Sequence, residues 1–179
     1  TPSEVDFVKE ANLQNHSGTR FTVRIERSVR VLEPATLASA LGGEPGAGVK
    51  GVGYESENTI VNTGSAAWEK DTGLLSIWIL GMFKPSPHTT IVLPFKPGPE
   101  SELGPIVNDA YFGKVPADRL KIAESVVYFR GDGQQRGKIG ISRPRASPVA
   151  GAYDSQGGVL TLVQFTLPEG ATDYVNSMW

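Results

Sequence analysis

The chain has 179 residues, a formal net charge of -2 and no cysteine. This length is sufficient for one domain with a substantial core, and the absence of cysteine excludes disulfides, thiolate nucleophiles and cysteine-based metal sites. The small negative charge creates no field that would attract the protein to nucleic acid or to an anionic membrane, so neither partner is predicted. The composition leaves the cellular compartment open.

The first part of the chain predicts a β-hairpin. Residues 5–13 form a strand-like segment, and an Asn-His-Ser-Gly turn separates it from residues 20–32. In the second segment Phe21, Val23 and Ile25 alternate with polar residues, a pattern typical of an antiparallel strand with one buried face.

A short helix is predicted after this hairpin. Pro34–Leu41 begins with proline and is followed by Gly42, the usual arrangement at the two ends of a helix. Residues 49–57 then predict a further strand, residues 58–62 predict the start of another, and the Asn-Thr-Gly sequence at residues 62–64 marks a turn.

The segment LLSIWILGMF, residues 74–83, contains a single polar side chain and no charge. A strand with one solvated face would alternate, so this run predicts a central strand that is covered on both faces. Trp78 within it is either a core residue or, if the second face lines a cleft, a platform for stacking. The prolines of residues 85–87 end the run, and residues 89–95 predict the next strand.

Later strands are predicted at five short segments, namely residues 110–113, 126–130, 138–141, 159–167 and 174–179. Residues 116–120 predict a single helical turn. Many short strands separated by turns, with one or two short helices, indicate an all-β fold of the β-sandwich type.

Three patterns that could indicate a cofactor or metal do not hold. Residues 46–51 match GxGxxG but lack the preceding strand and following helix that dinucleotide binding needs, and residues 131–138 fail the spacing of a phosphate-binding loop. His16 and His88 are both expected to be exposed in loops. We therefore predict no cofactor and no metal.

Polar clusters at strand ends are better candidates for a site. Glu55 and Glu57 are two residues apart, so they share one face of a strand, where they either do acid–base work or simply face water. Asp109 and Tyr111, in the sequence NDAYF, combine a carboxylate with an aromatic ring, as sugar sites do; the alternative is a turn that runs into a core strand.

Two arginines form a further candidate. Arg143 and Arg145 flank a proline in the sequence RPR. They could bind a carboxylate or phosphate bidentately, and the alternative is a solvated loop.

Five segments together resemble an uncharacterised bacterial family that is distantly similar to galactose mutarotase-like proteins, which include the aldose 1-epimerases. They are GYESENTIVNTGSAAW, TGLLSIWILGMFKPSPHTTIVLPFK, VNDAYFGKVPADRL, GDGQQRGKIGISRPRA and YVNSMW. The resemblance spans nearly the whole chain. It implies a β-supersandwich with a sugar cleft on the concave face of a large sheet, in which residues 62–64 lead into the buried strand at residues 74–83.

The resemblance also implies where this chain departs from a true epimerase. Trp78 stands where epimerases carry a histidine general acid, and their glutamate general base comes late in the chain, beyond residue 179. Asp109 resembles a substrate-binding aspartate and is expected to bind a sugar hydroxyl. The expected function is therefore carbohydrate binding or sugar modification without epimerisation; the alternative is a structural or protein-interaction domain with no small-molecule site.

The resemblance further implies that residues 1–179 are a single partial domain, truncated at both ends, since family members look about twice as long. Strand edges exposed in this way pair readily with another copy. Self-association through sheet edges is therefore expected, together with a carbohydrate ligand.

Overall fold

In the computed structural model, residues 3–167 and 169–170 are described, and they form eight β-strands and two short helices. The chain divides into two compact units, Thr1–Leu80 and Gly81–Trp179, each with its own antiparallel sheet. The all-β class with one or two short helices is thus confirmed. The strand predicted at residues 174–179 lies outside the described residues.

The first unit is a three-stranded sheet in the order β1-β2-β3. The strands are β1 (Glu4–Gln14), β2 (Arg20–Val31) and β3 (Tyr54–Asn62), and helix α1 (Pro34–Leu41) connects β2 to β3. The predicted hairpin and helix are both confirmed. The helix ends at Gly42, whose φ of 75° favours glycine.

The first sheet has one polar and one apolar face, as the alternation in β2 predicted. On the polar face Arg30 donates a hydrogen bond to Glu55 across the strands at 3.0 Å. On the apolar face Phe21 and Val23 are buried, and the Phe21 ring meets the Trp68 ring edge-on with 6.1 Å between centroids. This covered end is the core of the first unit.

The far end of the apolar face is exposed. Val5 and Phe7 on β1, Val31 on β2 and Tyr54 on β3 all leave their side chains largely in solvent. The register places them on the same face as the buried pair. Both outer strands, β1 and β3, are edges of the sheet.

One strand stands where the sequence predicted two. The register of β3 against β2 runs without a break from Tyr54 to Asn62, so the predicted division after residue 57 is wrong. Residues 49–53 are irregular. The predicted turn that follows is present, and its Gly64 N–H donates to the Asn62 side chain at 3.0 Å.

The prediction of a buried central strand at residues 74–83 is wrong. The segment has no regular secondary structure. Trp78 is 68% exposed and Met82 is 86% exposed. An apolar run supplies a reason for burial but does not supply a neighbouring strand, and a strand exists only where another backbone satisfies its N–H and C=O groups. The match implied with the buried strand of mutarotase-like proteins therefore does not hold over this segment.

The second unit is a five-stranded sheet in the order β5-β6-β4-β7-β8. Its elements are β4 (Thr89–Pro94), α2 (Glu100–Leu103), β5 (Leu120–Ile122), β6 (Val126–Arg130), β7 (Val149–Asp154) and β8 (Val159–Gln164). The strands predicted at residues 89–95, 126–130 and 159–167 are confirmed, and the bounds of each agree within three residues. The sequence did not predict β5, β7 or α2.

Two predicted strands of the second unit are wrong. Residues 111–113 form a bend and residue 110 is irregular, and within residues 138–141 only Gly140 makes an isolated bridge. Residues 116–120 contain the predicted turn, closed by a hydrogen bond from the Arg119 N–H to the Pro116 carbonyl at 2.9 Å. Loops therefore occupy much of this unit, and they carry the polar clusters described next.

Candidate functional site

Two long loops of the second unit lie side by side. The first loop (residues 104–119) joins α2 to β5, and the second loop (residues 131–148) joins β6 to β7. Asn108 in the first and Gly140 in the second exchange two backbone hydrogen bonds of 2.8 Å. The start of β5 lies beside the end of β6 in the sheet, so the two loops leave the sheet side by side. The bridge between Asn108 and Gly140 then fixes which residues of the two loops face each other.

Cations of the second loop lie over aromatic rings of the first. The Lys138 Nζ atom is 3.9 Å from the centroid of the Tyr111 ring, and the guanidinium carbon of Arg136 is 4.1 Å from the centroid of the Phe112 ring. The two rings meet edge-on, with 4.4 Å between centroids and an interplanar angle of 90°. Contacts of this kind attract a cation to the electron-rich ring face and so position both side chains.

A buried ion pair connects the two loops, since Arg119 belongs to the first loop and Asp132 to the second. Arg119 donates two hydrogen bonds to Asp132, of 3.0 and 2.5 Å, and the side chains are 7% and 9% exposed. Hydrogen bonding by Arg119, and then by the Gln134 N–H, lowers the pKa of Asp132 from 3.8 to about 2. The carboxylate is therefore charged at neutral pH and fixes the start of the second loop.

Between the loops lies an open cavity of about 200 Å³, called the loop cleft from here on. Its lining residues come from the two loops and from β6; they are Phe112, Gly113, Lys114, Val115, Pro116, Arg119, Phe129, Gln135, Arg136 and Gly137. The lining contains three cations and no carboxylate. It combines aromatic surface with hydrogen-bond donors, a mixture that suits a small polar ligand.

Asp109 and Tyr111 belong to the first loop but do not line the loop cleft. The Asp109 carboxylate accepts a hydrogen bond of 2.9 Å from the Val115 N–H, and this bond closes the first loop on itself. Val115 is buried and lines the cleft. Asp109 thus shapes the cleft, and direct binding of a sugar hydroxyl by this residue remains a prediction.

Arg145 has a structural position. It is 1% exposed, and its guanidinium donates to the carbonyls of Gly104, Lys96 and Gly98 at 2.7, 3.1 and 3.0 Å. The predicted solvated or anion-binding arginine is corrected here, because three backbone acceptors already occupy its donors and solvent does not reach it. The neighbouring Arg143 is half-buried in the same loop.

The remaining predicted site residues lie in the first unit. Glu57 is exposed on the polar face of β3, and Glu55 on the same face accepts the hydrogen bond from Arg30. The shared face of the two glutamates is as predicted, and both are solvated there. Trp78 lies in the exposed irregular segment. The structure thus brings together Asp109 and Tyr111 but places Glu57 and Trp78 in the other unit.

Sequence reasoning missed the cations of the loop cleft. Lys114 and Arg136 are 22 residues apart, and Arg136 lies in the stretch, residues 131–138, that was considered as a phosphate-binding loop and failed its spacing. The available signal was a pair of cations two residues apart, Arg136 and Lys138, in a chain that also contains two adjacent aromatic residues, Tyr111 and Phe112. In the structure Arg136 lies over Phe112 and Lys138 over Tyr111. Recognising it requires the loop register, which the sequence pattern does not contain.

The chain belongs to the family of unknown function DUF6786, whose model matches residues 1–179. Comparison with curated proteins gives no match, and comparison with solved structures also gives none. Across the described residues, no helix is long and apolar enough to cross a membrane. The same residues contain no cluster of three or more histidine, aspartate or glutamate side chains placed to hold a metal ion.

Proposed function

We propose that this protein binds a carbohydrate in the loop cleft and does not catalyse epimerisation. The observation that carries the proposal is the lining of the cleft, where the Phe112 ring lies beside the exposed donors of Lys114, Gln135 and Arg136. Sugars present an apolar ring face and a rim of hydroxyls, and a site of this composition can contact both.

The proposal does not depend on residues 74–83. The resemblance to galactose mutarotase-like proteins implied a sugar site near Trp78, but that side chain is exposed in the first unit. The loop cleft supplies a sugar-sized site in the second unit instead. Its support is the chemistry of its own side chains, and the resemblance adds the expected ligand class.

Epimerase activity is not expected, because the loop cleft offers no histidine acid. His16 and His88 are both exposed, and neither lines the cleft. A guanidinium such as that of Arg136 offers hydrogen bonds to a ligand but does not serve as a general acid. A polarimetric assay of galactose or glucose mutarotation should therefore show the uncatalysed rate. Acceleration that the Arg136→Gln variant abolishes would overturn this part of the proposal.

Binding is tested by a glycan array followed by calorimetric titration of the hits. We expect hits for the unmodified chain and a loss of binding of at least about tenfold in Arg136→Gln, since one charge-assisted hydrogen bond contributes on that scale. Lys50→Gln is the matched control, because Lys50 is an exposed cation of the first unit. An array without hits would overturn the proposal.

A second candidate function is favoured by the exposed apolar surface. Five large apolar side chains of residues 74–80, all in the first unit, are exposed, and exposed apolar groups concentrated in this way commonly mark protein contacts. The candidate is a protein-interaction role for the first unit. It would be favoured by an empty glycan array together with tryptophan fluorescence that does not respond to sugars.

A further inference from the structure

We infer that the saccharide taken by the loop cleft is anionic, with a carboxylate or sulfate ester placed against Arg136 and Lys114. This inference rests on the proposed function and narrows its ligand class. The chain as a whole has a net charge of -2, whereas the cleft is lined by three cations and no carboxylate. The local charge is therefore opposite in sign to the charge of the chain.

One of the three cations is already neutralised. Arg119 is buried and holds Asp132 through two hydrogen bonds, so its charge is matched inside the protein. Arg136 and Lys114 are exposed, and within the described residues no carboxylate lies within ion-pair distance of either. Two positive charges therefore remain for a ligand.

The position of Arg136 keeps its donors available. Its guanidinium lies over the Phe112 ring, a contact that orders the side chain without using its N–H groups in hydrogen bonds to a carboxylate. An ordered guanidinium loses less conformational entropy when it binds, and its planar fork matches two oxygens of a carboxylate or sulfate. Phe112 thus prepares Arg136 for an anion.

The size of the loop cleft favours one sugar ring. Its volume of about 200 Å³ is below the roughly 300 Å³ at which sites for drug-sized ligands begin. Its open side leaves room for a chain to continue into solvent. An acidic monosaccharide, or the acidic end of a longer chain, therefore fits better than a nucleotide or an extended polyanion.

The test is calorimetric titration of the full chain at low ionic strength with matched probes: D-galacturonic acid, D-galactose, galactose 6-sulfate and sodium acetate. We expect at least one acidic sugar to bind about tenfold or more tightly than galactose. The two acidic arms distinguish a carboxylate from a sulfate ester. Binding should weaken as salt is raised, because the charges are exposed.

Variants assign the selectivity to the cleft. Arg136→Gln and Lys114→Gln should each remove most of the preference for the acidic sugar, Arg136→Lys should retain part of it, and Lys50→Gln should retain all of it. Unchanged thermal unfolding of the variants confirms that they are folded, as their exposed positions predict.

The outcomes separate this inference from the proposal on which it rests. Equal affinity for galactose and galacturonic acid would overturn the inference and leave carbohydrate binding standing. Acetate binding as tightly as the acidic sugars would show an anion site and overturn both. No binding of any sugar would also overturn both.

Discussion

The two units differ in how deeply their arginine–carboxylate pairs are buried. In the first unit Arg30 and Glu55 share one hydrogen bond of 3.0 Å on an open sheet face, with side chains 51% and 49% exposed. In the second unit Arg119 and Asp132 share two hydrogen bonds, and their side chains are almost completely buried. Exposed pairs contribute little to stability, whereas breaking a buried pair leaves an unmatched charge inside the protein.

The difference follows from how each unit satisfies the hydrogen-bonding groups of its backbone. Strands of nine to twelve residues in the first unit satisfy most of their N–H and C=O groups through the sheet. The second unit has strands of three to six residues, so its long loops need side chains as hydrogen-bond partners. Buried Arg145 donates to three such carbonyls, Arg119 joins the two loops through Asp132, and the ordered loops then form a cleft.

The largest effect is expected from Arg145→Met. The substitution removes the buried guanidinium that donates to three backbone carbonyls, and each of them loses that partner. We expect a loss of about 3 to 5 kcal/mol in the free energy of unfolding of the second unit. Urea unfolding followed by circular dichroism measures it. A loss below about 1 kcal/mol would show that these carbonyls have other partners.

Asp132→Asn should have the next largest effect. It leaves the buried Arg119 guanidinium without its counter-charge and weakens the hydrogen bond to the Gln134 N–H. We expect a clearly lower midpoint of thermal unfolding, with Glu55→Gln as the matched control. Equal midpoints for the two variants would contradict the comparison between the units.

Acid should act on the same pair. The pKa of Asp132 is about 2 in the folded protein and 3.8 when unperturbed, so the unfolded state takes up the proton first as pH falls. The contribution of this group to stability is therefore complete above about pH 4 and decreases toward pH 2. The difference in melting midpoint between the wild type and Asp132→Asn should shrink over this interval. A constant difference would exclude the linkage.

The smallest effect is expected from Glu55→Gln. Its partner Arg30 is half-exposed, and water can replace the lost hydrogen bond. The melting midpoint should stay within the error of the measurement. A large decrease would mean that the polar face of the first sheet is covered by a partner in solution.

A separate experiment tests self-association, which remains a prediction. Phe7 is an exposed apolar residue on β1, an edge strand of the first sheet. If copies associate through this edge, sedimentation should show a dimer at high concentration, and Phe7→Lys should reduce it. A monomer at all concentrations would contradict this expectation.

The sequence pattern correctly predicted those elements whose conformation depends mainly on residues close together in the chain. The alternation around Val23 predicted β2, and the proline and glycine at the ends of Pro34–Leu41 predicted α1. The run at residues 74–83 misled because hydrophobicity reports a preference for burial and not the presence of a partner strand. Strand β7, VAGAYD, was not predicted because its sequence carries only a weak strand pattern. It is a strand because its backbone pairs with β4 on one side and β8 on the other.

The candidate site was predicted only in part. The NDAYF sequence drew attention to the first loop, because a carboxylate beside aromatic rings suggests a sugar site. Arg136, which completes the loop cleft, comes from the second loop, and the bridge between Asn108 and Gly140 helps to align this loop with the rings. Such pairings depend on tertiary register, which has no signature in a single sequence.

The most direct test of the central claim is a map of amide chemical shifts during titration of the isotope-labelled chain with galacturonic acid. The loop cleft predicts that the largest changes fall in residues 112–115 and 135–137, with residues 54–62 of β3 unaffected. Shift changes centred on Trp78 and Glu57 in the first unit, without changes in the two loops, would contradict the claim that the ligand binds in the loop cleft.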